Sequence, residues 1–149
     1  MSDSGATFHD GELILKLYEL RREPVMREAR AYFASMLPTE ESFLKVLANP
    51  NSKENSYVRQ VLGYWEMTAS LLVYGVINSQ LAFDTLQEMY FAYAKVKPYL
   101  GKLREMTNSP DFLKNTEKWA EGTAESRERV ERVSARIAAR FAAETPHKN

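Results

Sequence analysis

Hydrophobic residues recur every three or four positions along most of this chain, which is the spacing of an amphipathic α-helix. Residues 58–73 give the clearest case, because their apolar side chains form a wide stripe along one side of a helix. No segment keeps the apolar–polar alternation of a half-buried strand. The pattern therefore predicts an all-α fold, in which a helix over residues 53–74 is the most buried element.

Helix-breaking residues divide this pattern. Pro24 lacks an amide proton and clashes with the preceding turn, so it ends the first helix at residues 22–23 and opens the second. Further breaks are predicted at Pro38–Thr39, residues 49–52, Gly75, residues 107–109 and Gly122. From Phe83 to Leu103 the helical spacing continues across Pro98, which indicates one long helix with a kink. We expect a helical bundle of five to six mostly antiparallel helices.

The length of 149 residues suits one domain. We expect a single helical domain over residues 9–144, between disordered tails at residues 1–8 and 145–149. The longest near-apolar stretch covers only residues 71–77, whereas a membrane-spanning helix requires about 20 residues. The first residues are polar and lack the basic and apolar regions of a secretory signal. The sequence therefore predicts a cytoplasmic protein with no membrane span.

Composition argues against several classes of chemistry. The absence of Cys excludes disulfides, thiolate nucleophiles and Cys–zinc sites. The two histidines, His9 and His147, lie near the ends, which argues against histidine-based catalysis, phosphotransfer and zinc binding. The glycines are isolated, so no phosphate-binding loop is present. With 20 basic and 20 acidic residues, the zero net charge argues against nucleic-acid binding. We therefore predict no cofactor, metal ion or catalytic residue.

Glu66 is the acidic residue that most requires an explanation. It follows Trp65 in the most apolar predicted helix, and an isolated charge is very costly to bury. Arg30, or else Arg27, in the second helix can supply a guanidinium that grips the carboxylate with two hydrogen bonds. We expect a structural ion pair that fixes how the two helices pack, and an acid with a raised pKa in a pocket is the alternative.

Aromatic residues at helical spacing are most often part of a core or an interface. The sharper hypothesis is a ligand pocket between the central helix and the helix that follows it. The residues that would line this pocket are Tyr64, Trp65, Tyr90 and Tyr93. An enzymatic site would then consist of Glu66 with Tyr64 and Tyr93, although the sequence favours a protein without catalytic activity.

The C-terminal segment carries four arginines at helical spacing, which are Arg129, Arg132, Arg136 and Arg140. Interleaved glutamates favour a solvated helix face, where such charge pairs contribute only a few tenths of a kcal/mol each. An arginine stripe that binds an anionic partner is one alternative. Another is self-association through an apolar seam formed by Val130, Val133, Ile137 and Phe141.

Several segments resemble a bacterial all-helical family of unknown function, in which a leucine-rich helix and a proline precede a central helix with an aromatic–Glu pair. These segments are LYEL at 17–20, PVMREAR at 24–30, VLGYWE at 61–66, YGVIN at 74–78, KPYL at 97–100, LR at 103–104, DF at 111–112 and EKWA at 117–120. The resemblance covers about residues 13–121. It implies an all-helical fold and the Arg–Glu pair, but no reaction.

Two departures from this family are evident. Its members often carry an N-terminal membrane-spanning helix, which is absent here, and Asn78 occupies a position where relatives have a helix-capping Asp. Asn caps a helix about as well as Asp but adds no charge. We expect a helical interaction or scaffolding module that is a monomer or a homodimer, with a protein partner or a second copy of itself.

Overall fold

The computed structural model describes residues 5–145, and none of these residues lies in a strand. The all-α class is therefore confirmed for the described part of the chain. The number of helices is larger than the predicted five to six. The α-helices are α1 (Phe8–Arg21), α2 (Pro24–Ser35), α3 (Glu40–Leu47), α4 (Lys53–Val73), α5 (Ser79–Thr85), α6 (Glu88–Val96), α7 (Leu100–Met106), α8 (Lys114–Ala120) and α9 (Ala124–Glu144).

Several helix ends lie where the sequence predicts them. Pro24 is the first residue of α2, and the Thr39 hydroxyl caps α3 by accepting a hydrogen bond from the amide of Ser42. The side chain of Asn78 caps α5 in the same way. Gly75 follows α4 with a φ of 74°, a left-handed conformation that glycine adopts without strain. Short-range signals therefore identify these ends before any tertiary contact is known.

The predicted long helix around Pro98 is divided more than once. α5 ends at Thr85 and α6 begins at Glu88, although no proline or glycine separates them. Leu86 between them is fully buried, so packing of this side chain accompanies the break. Pro98 then lies in a 3₁₀ turn, Lys97–Tyr99, which separates α6 from α7.

After the predicted break at residues 107–109, the next helix does not open at Pro110 but four residues later. α8 starts at Lys114, and the preceding Leu113 is buried with a φ of 58°. This left-handed backbone is costly for a leucine, and tertiary packing of its side chain compensates. Gly122 follows α8, where a β-carbon would lie 2.7 Å from the carbonyl oxygen of Lys118. Only glycine fits this close approach without a shift of the backbone.

The core surrounds α4, which packs against α2 and α8. Trp65 at its centre is completely buried, together with Val58. α6 and α9 form a second packed pair. Tyr90 early in α6 shares a hydrogen bond with Ser126 early in α9.

Residues 1–4 and 146–149 of the predicted tails lie outside the described range. Within the range, Thr7 and Asp10 form a reciprocal capping box that begins α1 at Phe8, so the first helix starts before the predicted boundary. The division into one domain and two tails stays a prediction.

Candidate functional site

The carboxylate of Glu66 binds the beginning of α8. Its oxygens accept hydrogen bonds from the amide of Asn115 at 2.7 Å and from the amide of Thr116 at 3.0 Å. Leu113, which precedes α8, has no side-chain oxygen to cap these amides, so Glu66 supplies the cap from another helix. Burial raises the pKa of Glu66, and the two amide hydrogen bonds oppose this rise. Glu66 therefore caps the beginning of α8.

The predicted pair between Arg30 and Glu66 is wrong. Arg30 instead grips Glu88 of α6, with its Nε 2.7 Å from one carboxylate oxygen and its Nη2 2.8 Å from the other. Arg21 adds a contact of 3.4 Å to the same carboxylate. Arg27 is exposed and forms no ion pair within the described residues. Arg30 therefore makes the expected pair of hydrogen bonds to a carboxylate, but the carboxylate belongs to Glu88, which sequence reasoning missed.

The aromatic residues predicted to line a pocket are packed into the core. Trp65, Tyr90 and Tyr93 are almost inaccessible, and Tyr90 exchanges a hydrogen bond with Ser126. Tyr64 is half-buried and donates to the carbonyl oxygen of Leu17. Burial raises the pKa of Tyr64 to about 12, so its hydroxyl stays protonated at neutral pH. Closed packing around these side chains argues against the predicted ligand pocket.

A different cleft, which the sequence did not predict, lies among α2, α6 and α9. Its volume is about 470 Å³, within the range of small-ligand sites. The Lys95 cleft, as we call it, combines apolar walls with three charged groups. Its lining includes Ala34, Phe91, Lys95, Ile137, Arg140 and Glu144.

Lys95 is the distinctive residue of the Lys95 cleft, because only 3% of its surface is exposed. Its Nζ donates to the carbonyl oxygens of Phe33 at 2.6 Å and Ala34 at 3.2 Å. These carbonyls belong to the last turn of α2, where the helix dipole favours a cation. The Nζ also lies 5.3 Å from the centre of the Phe33 ring. Lys95 therefore caps α2 from another helix.

An ammonium group has three N–H donors, and Lys95 uses two of them, so one donor of Lys95 has no acceptor among the described residues. Lys95 makes no ion pair with any carboxylate of the described residues. Burial, with a further contribution from the positive charge of Arg140, lowers the pKa of Lys95 to about 8. Arg140 pairs with Glu144 at 2.9 Å on the exposed side of the cleft. Two cations therefore converge on an apolar cleft that offers only one carboxylate, which is already paired.

The sequence did contain a signal for Lys95. This lysine stands in α6 among positions that are buried on every side, including Ala94 and Val96. A lysine in such a run requires a partner for the same reason that Glu66 does. Sequence reasoning missed Lys95 because no acidic residue at helical spacing suggested a partner for it. The sequence also does not show which backbone carbonyl groups of another helix will lie near this lysine.

The four C-terminal arginines have different surroundings. Arg129 stacks on Phe83, with its guanidinium carbon 3.5 Å from the ring centre. Arg132 and Arg136 are exposed and form no ion pair in the described part of the chain. With Arg129 and Gln87, they line a shallow groove of about 550 Å³. The side chains of Val130 and Val133 are buried inside the molecule, so this part of the predicted self-association seam is already used.

Residues 5–145 contain no cluster of three or more acidic or histidine side chains suited to a metal ion. None of the helices within this range has the length and apolar character needed to cross a bilayer.

The chain was compared with curated proteins, solved structures and sequence models of protein families. No curated protein and no solved structure matches the chain. The sequence model of a family described as a domain of unknown function (DUF4760) matches residues 6–123, which include α1 to α8 but not α9. The match confirms the resemblance to an uncharacterised family that the sequence motifs indicated. Because the match spans more than three quarters of the chain, this protein belongs to the DUF4760 family, whose function is unknown.

Proposed function

We propose that this protein is a non-catalytic binding module that takes an anionic group with an apolar body into the Lys95 cleft. The observation that carries the proposal is a buried ammonium without a carboxylate partner, beside a guanidinium, in a cleft of about 470 Å³. A helical interaction module in a bacterial cytoplasm, as the sequence predicts, is consistent with this activity.

Electrostatics favour an anion between Lys95 and Arg140. The positive charge of Arg140 contributes to the lowered pKa of Lys95, which shows that the two cations repel each other. A carboxylate placed between them would accept the remaining hydrogen bond of Lys95 and offset the repulsion. Phe91 and Ile137 in the walls would cover an apolar chain attached to that carboxylate.

Binding of octanoate, compared with 1-octanol, tests the proposal, since the two probes differ mainly in charge. Isothermal titration calorimetry of the wild-type protein should show tighter binding of octanoate. Lys95→Met should weaken octanoate binding at least tenfold, whereas Lys102→Met, which removes an exposed lysine on α7, should leave it unchanged. Octanoate affinity should also fall as the pH rises through about 8, where Lys95 loses its proton.

A second variant guards against loss of structure in Lys95→Met, which removes the cap on α2. Ala34→Phe fills the Lys95 cleft from an exposed position and keeps the lysine. It should abolish octanoate binding while the helical circular-dichroism signal is retained. Equal affinities for octanoate and 1-octanol, or no effect of either variant, would refute the proposal.

Self-association is a second candidate function, favoured by the outer face of α1. Phe8 and Leu15 are 78% and 68% exposed, and Tyr18 continues the same face. Gly11 between them leaves open space into which Leu15 of a second copy can pack. The zero net charge of the chain also favours association. Solution molar mass tests this candidate.

A further inference from the structure

The Lys95 cleft continues along the seam between α6 and α9. Gln87 directly precedes α6, and Phe91 and Lys95 follow it at intervals of four residues, so the three residues lie on successive turns of one helix face. Gln87 lines the shallow groove with the arginines, whereas Phe91 and Lys95 line the cleft. Residues of α9 between 129 and 136 line the shallow groove and residues between 137 and 144 line the cleft, so the two depressions follow one another along this helix.

The edge of this seam is basic at regular intervals. Arg132, Arg136 and Arg140 are also four residues apart, so one arginine stands on each successive turn of α9. Arg132 and Arg136 face solvent without an acidic partner among the described residues, although Glu128 lies one turn before Arg132. We call the seam with this edge the arginine groove.

We propose that the arginine groove binds an extended acidic peptide, with one carboxylate and an apolar side chain in the Lys95 cleft and further acidic side chains against Arg136 and Arg132. This proposal rests on the proposed function and specifies its partner. The charges are complementary, because three arginines and no acidic residue line the shallow groove. The peptide side chain would be covered by Phe91, Ile137 and Phe141.

The spacing of the arginines fits this partner. Residues four apart on a helix are separated by about 6 Å along its axis. Alternate residues of an extended peptide are separated by about 6.6 Å and point to the same side. Acidic side chains at alternate peptide positions can therefore each meet one arginine. From Gln87 to Lys95 the groove is roughly 12 Å long, which about four extended residues would span.

Fluorescence anisotropy with a labelled peptide tests the inference. The probe is a leucine–phenylalanine pair followed by alternating glutamate and serine with three glutamates in total, and the control peptide carries lysines in place of the glutamates. The wild-type protein should bind the acidic peptide and not the basic one. Replacing both arginines (Arg132→Ala with Arg136→Ala) should weaken peptide binding at least tenfold.

Two measurements separate this inference from the proposed function. The same double variant should change octanoate affinity less than twofold, since neither arginine lines the Lys95 cleft. A matched double variant of exposed arginines elsewhere (Arg22→Ala with Arg59→Ala) should bind the peptide as the wild type does. Normal octanoate binding without peptide binding would overturn the peptide inference and leave the proposed function intact. A wild-type protein that does not bind octanoate would instead overturn the proposed function.

The identity of the partner is tested separately. Oligothymidylate and inorganic polyphosphate of equal charge should compete weakly with the peptide, because neither supplies an apolar side chain for the Lys95 cleft. If either displaced the peptide at lower concentration than unlabelled peptide does, the groove would be a general polyanion site and the peptide inference would fail.

Discussion

Two charged side chains, the half-buried Glu66 and the buried Lys95, each lie against the end of another helix. Glu66 meets the amides at the beginning of α8, where the helix dipole is positive, and Lys95 meets the carbonyls at the end of α2, where it is negative. The apolar surroundings of Glu66 predicted that it needs a partner. The predicted partner was wrong, because every helix begins with free backbone amides and the sequence does not show which of them will pack against Glu66.

Replacement of Glu66 should destabilise the protein. Glu66→Ala leaves the amides of Asn115 and Thr116 without their acceptor, which should cost about 1–3 kcal/mol in the free energy of unfolding. Glu66→Gln keeps one acceptor oxygen and should cost less. Urea denaturation followed by circular dichroism measures both, with the exposed Glu105→Ala as the control. Equal stability of the Glu66→Ala and Glu105→Ala variants would mean that the cap contributes nothing.

At the scale of the helices, α1 differs from the others because both of its faces are apolar. Leu13 and Leu17 face the core, while Phe8 and Leu15 face outward. Its packing against the rest of the molecule therefore also depends on polar contacts. Asp10 provides one such contact. Its carboxylate accepts a hydrogen bond from the amide of Thr7, which caps the beginning of α1, and another from the amide of Asn78 at 2.8 Å. Sequence reasoning identified the cap at Asn78 but not this cross-link, because the two residues lie 68 positions apart.

The link between α1 and α5 should depend on pH. The amide hydrogen bonds from Thr7 and Asn78 hold the pKa of Asp10 below its ordinary value of 3.8. The folded state therefore favours the carboxylate, and this stabilisation is complete above pH 3.8 and is lost as the pH falls through the lowered pKa. Asp10→Asn should lose stability relative to wild type at pH 6, and the difference should shrink by pH 3.

Urea denaturation at the two pH values checks this prediction. The exposed Asp111→Asn serves as the control and should follow the wild type at both. A stability difference for Asp10→Asn that is the same at pH 6 and pH 3 would contradict the assignment.

At the scale of the whole molecule, α9 completes a surface that the family match does not include. The match ends at residue 123, and α9 begins at Ala124. Val130 and Val133 of α9 are nevertheless buried, and Ile137 and Arg140 form one wall of the Lys95 cleft. The proposed binding site therefore combines the family domain with the following helix, which no motif within the family segment could reveal.

The outer face of α1 gives a prediction about assembly. If this face joins two copies, Leu15→Glu should shift the molar mass from dimer towards monomer, because it puts a charge in the centre of the contact. Light scattering coupled to size-exclusion chromatography measures the shift. The exposed Met67→Glu on α4 is the control and should not change the mass. A wild-type protein that is monomeric at high concentration would exclude this interface.

The sequence by itself determined the helical class and many helix ends, because periodicity, prolines and capping side chains act within a few residues of each other. Pro24, Thr39 and Asn78 are examples. Tertiary structure decided the rest. The break between α5 and α6, the late start of α8 and the partners of Glu66 and Lys95 depend on residues distant in the chain. The physical reason is that a buried charge or side chain requires only some compatible neighbour, and only the folded chain selects which one.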